Sequence, residues 1–214
     1  MTELLLIRHG ETAWNAEKRL QGHLDIPLNQ NGERQAQLLA ASLADEKIEA
    51  VFASDLSRAK HTASPLAGAH GLGLTIERDL RERCYGAFEG LRYADIGARY
   101  PEAYAAMQAR EVDHRYPSGE RIAETLREFS ARSVGVVTRL LKSTHHRKIA
   151  IVTHGGVLDC INRFARGNDL SRPRDFDIPN TGLCRLAWDG SSLKILQWAD
   201  VSHLSSEVLD EVDR

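Results

Sequence analysis

The hydrophobic pattern of the chain alternates between two kinds of segment. Short, wholly apolar runs are typical of strands that are covered on both faces of a parallel sheet, and they lie at residues 4–7, 51–53 and 149–152. Apolar side chains spaced three or four apart predict helices, which we place at residues 33–43, 57–70, 118–140 and 157–164. This alternation predicts an α/β fold of three layers, α/β/α, around a mostly parallel central sheet.

The remaining segments are less regular. Leu72, Leu74 and Ile76 alternate in the manner of a further strand, and residues 183–188 and 193–198, joined by Asp189-Gly190, predict a hairpin. The segment from residue 20 to residue 31, where the pair Asn31-Gly32 begins, is typical of a loop.

Residues 83–119 interrupt the alternation of strands and helices. The segment is rich in glycine and proline and carries six aromatic side chains: Tyr85, Phe88, Tyr93, Tyr100, Tyr104 and Tyr116. Irregular aromatic segments often cover pockets, so we expect a lid here. A helical excursion packed on the core explains the same pattern equally well.

Composition narrows the class of protein. A chain of 214 residues, 42% apolar and 27% charged, is expected to form a single globular domain over residues 1–214. The net charge of −2 argues against a nucleic-acid binder that is held by overall charge. Three separated cysteines indicate a reduced compartment, and the opening apolar run is too short for a signal or a membrane span. We therefore expect a cytoplasmic protein without membrane contact.

Two of the predicted strands are followed by the same kind of residues: a polar residue, a histidine and a glycine. Arg8-His9-Gly10 follows the first run and Thr153-His154-Gly155 follows the last, and Arg58 comes shortly after the strand at 51–53. The carboxyl ends of parallel strands are where open α/β sheets bind ligands. A neutral imidazole can attack phosphorus while guanidinium groups stabilise the charged oxygens. The set indicates phosphoryl transfer without a metal, with a carboxylic acid to protonate the leaving oxygen.

The sequence lacks the motifs of several other metal-binding and catalytic chemistries. No HExxH motif and no EF-hand loop occurs, and the adjacent His145-His146 pair is typical of a solvated loop rather than of a metal site. A Walker A loop and a G-x-S-x-G elbow are also missing, which argues against that route of ATP hydrolysis and against a serine hydrolase.

The motifs together resemble the histidine phosphatase superfamily, in its phosphoglycerate mutase-like branch. Residues 6–12 (LIRHGET), with Trp14-Asn15, are similar to the signature of that family. Four further stretches match its later motifs: Gln21-Gly22 with 25–28, residues 54–63, residues 80–90, and residues 153–156. The resemblance covers about residues 3–190.

The resemblance implies a role for each matching residue. His9 would carry the phosphoryl group, Glu82 would exchange the proton with the leaving oxygen, and His154 would stabilise charge on the phosphate. Arg8 and Arg58 would surround the phosphate. The matching positions for substrate binding are Asn15, Gln21, Gly22, Gly155 and, near the outer part of the substrate, Lys60, Arg83 and Tyr85.

The branch contains both phosphatases and mutases. The segment between Glu82 and Thr153 holds no Arg-Arg pair of the kind that mutases of the family use for the substrate carboxylate. We therefore expect a metal-independent phosphatase for small phosphate monoesters, without a cofactor; α-ribazole phosphate and fructose 2,6-bisphosphate remain open as substrates. The alternatives are a mutase that depends on 2,3-bisphosphoglycerate and an inactive phospho-ligand binding module. The acidic, amphipathic tail 202–214 either caps the fold or joins a homodimer.

Overall fold

The computed structural model describes residues 1–204, and most of the tail for which a cap or a dimer contact was expected lies outside the described residues. The strands are β1 (Thr2–Arg8), β2 (Ala50–Ala53), β3 (Leu74–Ile76), β4 (Lys148–Thr153), β5 (Leu183–Trp188) and β6 (Leu193–Asp200). The α-helices are α1 (Ala13–Ala16), α2 (Gln30–Ser42), α3 (Ser57–Ala69), α4 (Tyr93–Arg99), α5 (Pro101–Gln108), α6 (Leu126–Ser143) and α7 (Gly155–Arg166). Short 3₁₀ turns cover Arg78–Leu80 and Gly86–Phe88.

The strands form one sheet in the order β3-β2-β4-β1-β5-β6. The first four of these strands run parallel, whereas β5 pairs antiparallel with both β1 and β6. The expected three-layer fold with a mostly parallel sheet is confirmed, and so is the hairpin, whose turn contains Gly190 at a φ of 109°.

The wholly apolar runs are explained by helices on both faces of the sheet. Side chains of a strand alternate between faces, so Leu4 and Leu6 enter one core while Leu5 and Ile7 enter the other. The first core is filled by α6 and α7, and the second by α2 and α3. Every one of these four strand residues is fully buried.

The segment 83–119 is partly helical. It contains the Gly86–Phe88 turn, α4 and α5, and it forms a third, separate cluster in which Phe88 stacks on Tyr116 with ring centroids 4.7 Å apart. The helical excursion is therefore observed, and a movement of this segment as a lid stays a prediction.

Two predicted boundaries are wrong. Helix α6 begins at Leu126, not near residue 118, and Ile122, which we placed on its apolar stripe, is 70% exposed. The start is fixed by a capping box, in which the Thr125 side chain accepts from the Glu128 N–H and the Glu128 side chain accepts from the Thr125 N–H.

The second wrong boundary is the loop predicted through Asn31-Gly32. Helix α2 begins at Gln30, because the Asn29 side chain caps it by accepting from the Gly32 N–H at 2.8 Å. A Cβ at Gly32 would overlap the Glu11 carbonyl oxygen, so this glycine allows a close approach of two segments rather than forming a turn.

No helix in residues 1–204 is both long and apolar enough to cross a membrane.

Candidate active site

The register of β1 and β4 brings the two candidate histidines together. Arg8 pairs with Thr153 at the carboxyl ends of these parallel strands, so His9 and His154 follow as neighbours. The His9 N–H donates to the Thr153 carbonyl at 2.9 Å, and the two imidazole rings lie edge to face with centroids 5.2 Å apart. Residues 145 positions apart in the chain thus meet through strand pairing alone.

His9 is held as a neutral imidazole with one defined free nitrogen. Its Nδ1 lies 2.7 Å from the Gly10 carbonyl oxygen, which can only accept, so Nδ1 carries the proton and Nε2 presents its lone pair. Burial lowers the pKa of His9 well below 6.5, and the charges of Arg58 and Arg8 lower it further. A neutral Nε2 is the form that can act as a nucleophile.

His154 is tied on both of its ring nitrogens. Arg58 Nε donates to His154 Nδ1 at 3.3 Å, so the proton of the ring is on Nε2, which donates to Ser54 Oγ at 2.9 Å. Burial and then the charge of Arg58 lower the pKa of His154 well below 6.5. In this arrangement His154 orients the guanidinium of Arg58 and packs against His9.

Two buried guanidinium groups are fixed beside His9. Arg58 Nη1 and Nη2 each donate at 2.8 Å, to the carbonyls of Leu24 and Gly22, and Arg8 Nη1 donates to the Ile178 carbonyl at 2.6 Å. Both arginine side chains are 1% exposed. Fixed charges of this kind stabilise a negatively charged transition state without having to reorganise.

Glu82 reaches the site from the loop that follows β3. Its Oε2 accepts from the Gly156 N–H at 3.0 Å and its Oε1 accepts from the Arg83 N–H at 2.8 Å. Gly156 lies in the first turn of α7, where backbone N–H groups lack partners within the helix. A Cβ at this position would lie well under 3.0 Å from Glu82 Oε1, so the carboxylate can occupy its place because residue 156 is glycine.

Most of the candidate residues line one cleft, here called the histidine cleft. The predicted residues that line it are Arg8, His9, Asn15, Gln21, Gly22, Arg58, Glu82 and Tyr85. Asn15 Oδ1 accepts from the N–H and the hydroxyl of Thr12, which turns its amide NH₂ to the other side. Lys60, Gly155 and His154 do not line this cleft. Lys60 lies further along α3, Gly155 is buried at the start of α7, and His154 is fully buried, so it contacts Arg58 and His9 rather than the open space.

Five further residues line this cleft without having been predicted as site residues. They are Trp14, Lys18, Arg19, Leu20 and Tyr93. Arg19 is held between Glu17 and the Gly90 carbonyl and lies over the Trp14 ring at 5.5 Å. For Lys18, Arg19 and Leu20 the signal was their position between Asn15 and Gln21, since a chain that lines a pocket at two nearby points often lines it between them as well.

A second cleft, here called the arginine cleft, adjoins the first. It is lined by Arg83, Tyr85, Met107, Arg110, Glu111, Tyr116, Leu126, Phe129, Gly156, Asp159 and Arg174. Tyr85 lines both clefts, and Gly156 in the second holds Glu82 in the first. Of the predicted outer residues, Arg83 lies here and not in the histidine cleft.

The geometry suits attack on a phosphorus atom. A free imidazole nitrogen, two fixed guanidinium groups and a carboxyl group share the histidine cleft. Within residues 1–204, no group of three or more His, Cys, Asp or Glu side chains is arranged to hold a metal ion.

Comparison with known proteins agrees with this arrangement. The model of the histidine phosphatase superfamily (branch 1) matches residues 4–201. Phosphoglycerate mutase-like protein 4 of Arabidopsis thaliana is 40% identical over 204 residues, which are 94% of this chain and 86% of the plant protein. A metal-independent phosphoserine phosphatase of the same plant is 35% identical and covers 96% of this chain and 84% of its own length.

The fold agrees as well. The solved structure of Bacillus stearothermophilus YhfR superimposes with a TM-score of 0.84 at 28% identity, over 95% of this chain and 99% of that one. With a family match that spans nearly the whole chain and a relative at 40% identity, the protein belongs to branch 1 of the histidine phosphatase superfamily.

Proposed function

We propose that the protein is a metal-independent phosphatase that hydrolyses small phosphate monoesters through a phosphohistidine at Nε2 of His9. The observation that carries the proposal is the state of His9: a proton fixed on Nδ1 by the Gly10 carbonyl, and an unprotonated Nε2 in a cleft with two guanidinium groups. The metal-independent phosphoserine phosphatase at 35% identity supports this chemistry.

In the first step, Nε2 of His9 forms a bond to phosphorus while the bond to the ester oxygen breaks. Glu82, in its acid form, gives its proton to that oxygen, and the alcohol leaves. The Gly10 carbonyl, which already accepts from Nδ1–H, stabilises the positive charge that develops on the ring. Arg8 and Arg58 neutralise the charge on the phosphoryl oxygens.

In the second step, water attacks the phosphohistidine. Glu82, now a carboxylate, takes a proton from this water, the N–P bond breaks, and the electron pair returns to Nε2. Inorganic phosphate leaves, and both His9 and Glu82 are restored. Asn15, Gln21 and Gly22 bind the phosphate, and the reaction needs no cofactor.

A mutase is the second candidate, because a relative at 40% identity is named as phosphoglycerate mutase-like. A mutase would need 2,3-bisphosphoglycerate and would return the phosphoryl group to the substrate. The chain has no Arg-Arg pair between Glu82 and Thr153, which favours transfer to water.

We further propose the cytoplasm as the compartment of the protein, since Cys84, Cys160 and Cys184 are all free thiols.

The test is turnover of p-nitrophenyl phosphate in EDTA, with the phosphoenzyme trapped by denaturation after brief mixing with ³²P-labelled substrate. We expect wild-type protein to turn over and to carry an acid-labile, alkali-stable label, and His9→Ala to do neither. His61→Ala, which changes an exposed histidine on α3, is the matched control and should behave as wild type. Equal turnover by His9→Ala and wild type would contradict the proposal.

A second assay separates the two activities. With 3-phosphoglycerate we expect release of inorganic phosphate, and formation of 2-phosphoglycerate that depends on 2,3-bisphosphoglycerate would establish the mutase instead.

A further inference from the structure

One arginine of α6 holds the main chain that carries Glu82. Arg132 Nη1 donates to the carbonyls of Asp79 and Arg81, at 2.8 and 2.9 Å. Its Nη2 donates to the Glu82 carbonyl at 3.1 Å. Three carbonyls within four successive residues thus bind one guanidinium group. Residues 81–85 lie in neither a helix nor a strand, so side chains have to supply the hydrogen bonds that a regular backbone ladder would give.

Glu124 fixes the guanidinium of Arg132 from the other side. Its Oε1 accepts from Arg132 Nε at 2.8 Å and its Oε2 accepts from Arg132 Nη2 at 2.7 Å, and this two-point contact sets the plane of the group. Burial works to raise the pKa of Glu124, but the hydrogen bonds and the charge of Arg132 help to bring it below its ordinary value, so the pair is charged at neutral pH. Glu124 also accepts from the Cys84 N–H and donates its own N–H to the Cys84 carbonyl, both at 2.9 Å. The ion pair therefore holds the chain on both sides of Glu82.

His23 binds the same carbonyl of Glu82. Its Nε2 lies 2.8 Å from this oxygen, which can only accept, so Nε2 carries the proton and donates. The Glu82 carbonyl thus has a donor for each of its two lone pairs. The residues on either side of His23, Gly22 and Leu24, offer their carbonyls to Arg58. The arginine proposed to bind phosphate and the proposed proton donor are therefore held by one short segment.

Arg132 has no donor left for a substrate. Its five N–H groups all have acceptors in Glu124 and in the three carbonyls of the loop. It lines neither the histidine cleft nor the arginine cleft, but a separate surface groove that it shares with His23 and Glu124. Any effect of Arg132 on the reaction must therefore pass through the loop that it holds.

We infer that Arg132 is a positioning residue for proton transfer: anchored by Glu124, it holds the main chain of residues 79–84 so that the Glu82 carboxyl group reaches the ester oxygen. The inference rests on the proposed function, because it concerns the proton donor of the same reaction.

The test is the ratio of kcat/KM for glycerol 1-phosphate to kcat/KM for p-nitrophenyl phosphate, which does not depend on the fraction of protein that is folded. The ratio reports the proton that an alkoxide leaving group needs and nitrophenolate does not. We expect Arg132→Gln to lower it by about 10- to 100-fold, since a displacement of about 1 Å in a catalytic group costs on the order of 100-fold. Arg132→Lys, which keeps the charge but has three donors instead of five, should restore part of the ratio. Glu124→Gln should lower the ratio less than Arg132→Gln, because an amide still accepts one hydrogen bond from the arginine.

A second measurement shows whether the effect passes through Glu82. In a Glu82→Gln background, where residue 82 has no acidic proton to give, Arg132→Gln should leave the ratio unchanged. Arg139→Gln, at an arginine two turns further along α6 that pairs with Glu77, is the matched control and should keep the wild-type ratio.

Two results would overturn the positioning role and leave the phosphatase standing. One is a wild-type ratio in both Arg132→Gln and Glu124→Gln, and the other is a loss in the Glu82→Gln background as large as in the wild-type background. Absence of turnover by the wild-type protein with every ester, p-nitrophenyl phosphate included, would overturn the proposed function and the inference with it.

Discussion

Replacing Gly156 by alanine tests how far activity depends on the exact position of Glu82. A Cβ at residue 156 would lie well under 3.0 Å from Glu82 Oε1, and 2.9 and 3.0 Å from two ring carbons of Phe129. Carbon and oxygen atoms need about 3.3 Å between them, so the carboxyl group has to move by about 1 Å. A misplacement of about 1 Å in a catalytic group costs on the order of 100-fold in rate.

The assay compares a substrate that needs the proton of Glu82 with one that needs it less. We expect Gly156→Ala to lower kcat for glycerol 1-phosphate by about 100-fold, because an alkoxide is a poor leaving group. The loss for p-nitrophenyl phosphate should be clearly smaller, since nitrophenolate leaves without help. Gly135→Ala in α6 is the matched control, because a Cβ there meets no atom within 4 Å.

Melting temperatures of both variants separate a local shift from unfolding, since Phe129 also has to yield to the new methyl group. Wild-type kcat for both substrates in Gly156→Ala would refute the argument that this glycine sets the place of Glu82. An equal loss for both substrates would refute the assigned role of Glu82 as proton donor.

Three further outcomes follow from the structure. Glu82→Gln should slow alkyl esters by about 10²- to 10⁴-fold and p-nitrophenyl phosphate by much less, and a uniform loss would contradict its role as an acid. The lowered pKa values of His9 and His154 predict that NMR will find both rings neutral as the pH falls through 6.5. The unfolded chain takes up protons in this range and the folded protein does not, so the free energy of unfolding should fall as the pH falls. Protonation of either ring with a midpoint at 6.5 would contradict this. Thr125→Ala should destabilise the protein by about 1 kcal/mol in denaturant unfolding through loss of the Glu128 capping box, and an unchanged midpoint would show that α6 does not depend on it.

The sheet could be predicted from the sequence because its signals are strong and local. The apolar runs at 4–7 and 149–152 are too short for helices and have no polar face, so both had to be covered strands. Each run ends in a histidine followed by glycine, and this repetition placed His9 and His154 at one edge of the sheet. That prediction did not require the register, which the structure supplies.

The start of α6 was mistaken because two local signals compete. Ile122 continues the apolar spacing of the helix, whereas Thr125-x-x-Glu128 is a capping box that begins it three residues later. The capping box prevails because it satisfies two backbone N–H groups, while exposure of a single isoleucine costs little. Periodicity alone carries no information about such hydrogen bonds.

The sequence carried only part of the signal for the arginine cleft. Arg83 and Tyr85 were assigned through their motif, but Asp159 lies 76 residues after Arg83 on a buried helix face that also carries Asn162 and Arg163. A charged residue at such a position is compatible with a structural ion pair, and here it makes two. The sequence could not show that these residues share one cleft, because their proximity comes from the assembled structure.

The central place of β1 has a consequence for synthesis of the chain on the ribosome. Residues 2–8 are synthesised well before their two neighbours in the sheet, β4 and β5, which end at residues 153 and 188. The apolar side chains of this strand therefore have no final partners until β4 and β5 have been made. During that interval the nascent chain exposes an aggregation-prone apolar segment, which is the kind of segment that chaperones bind.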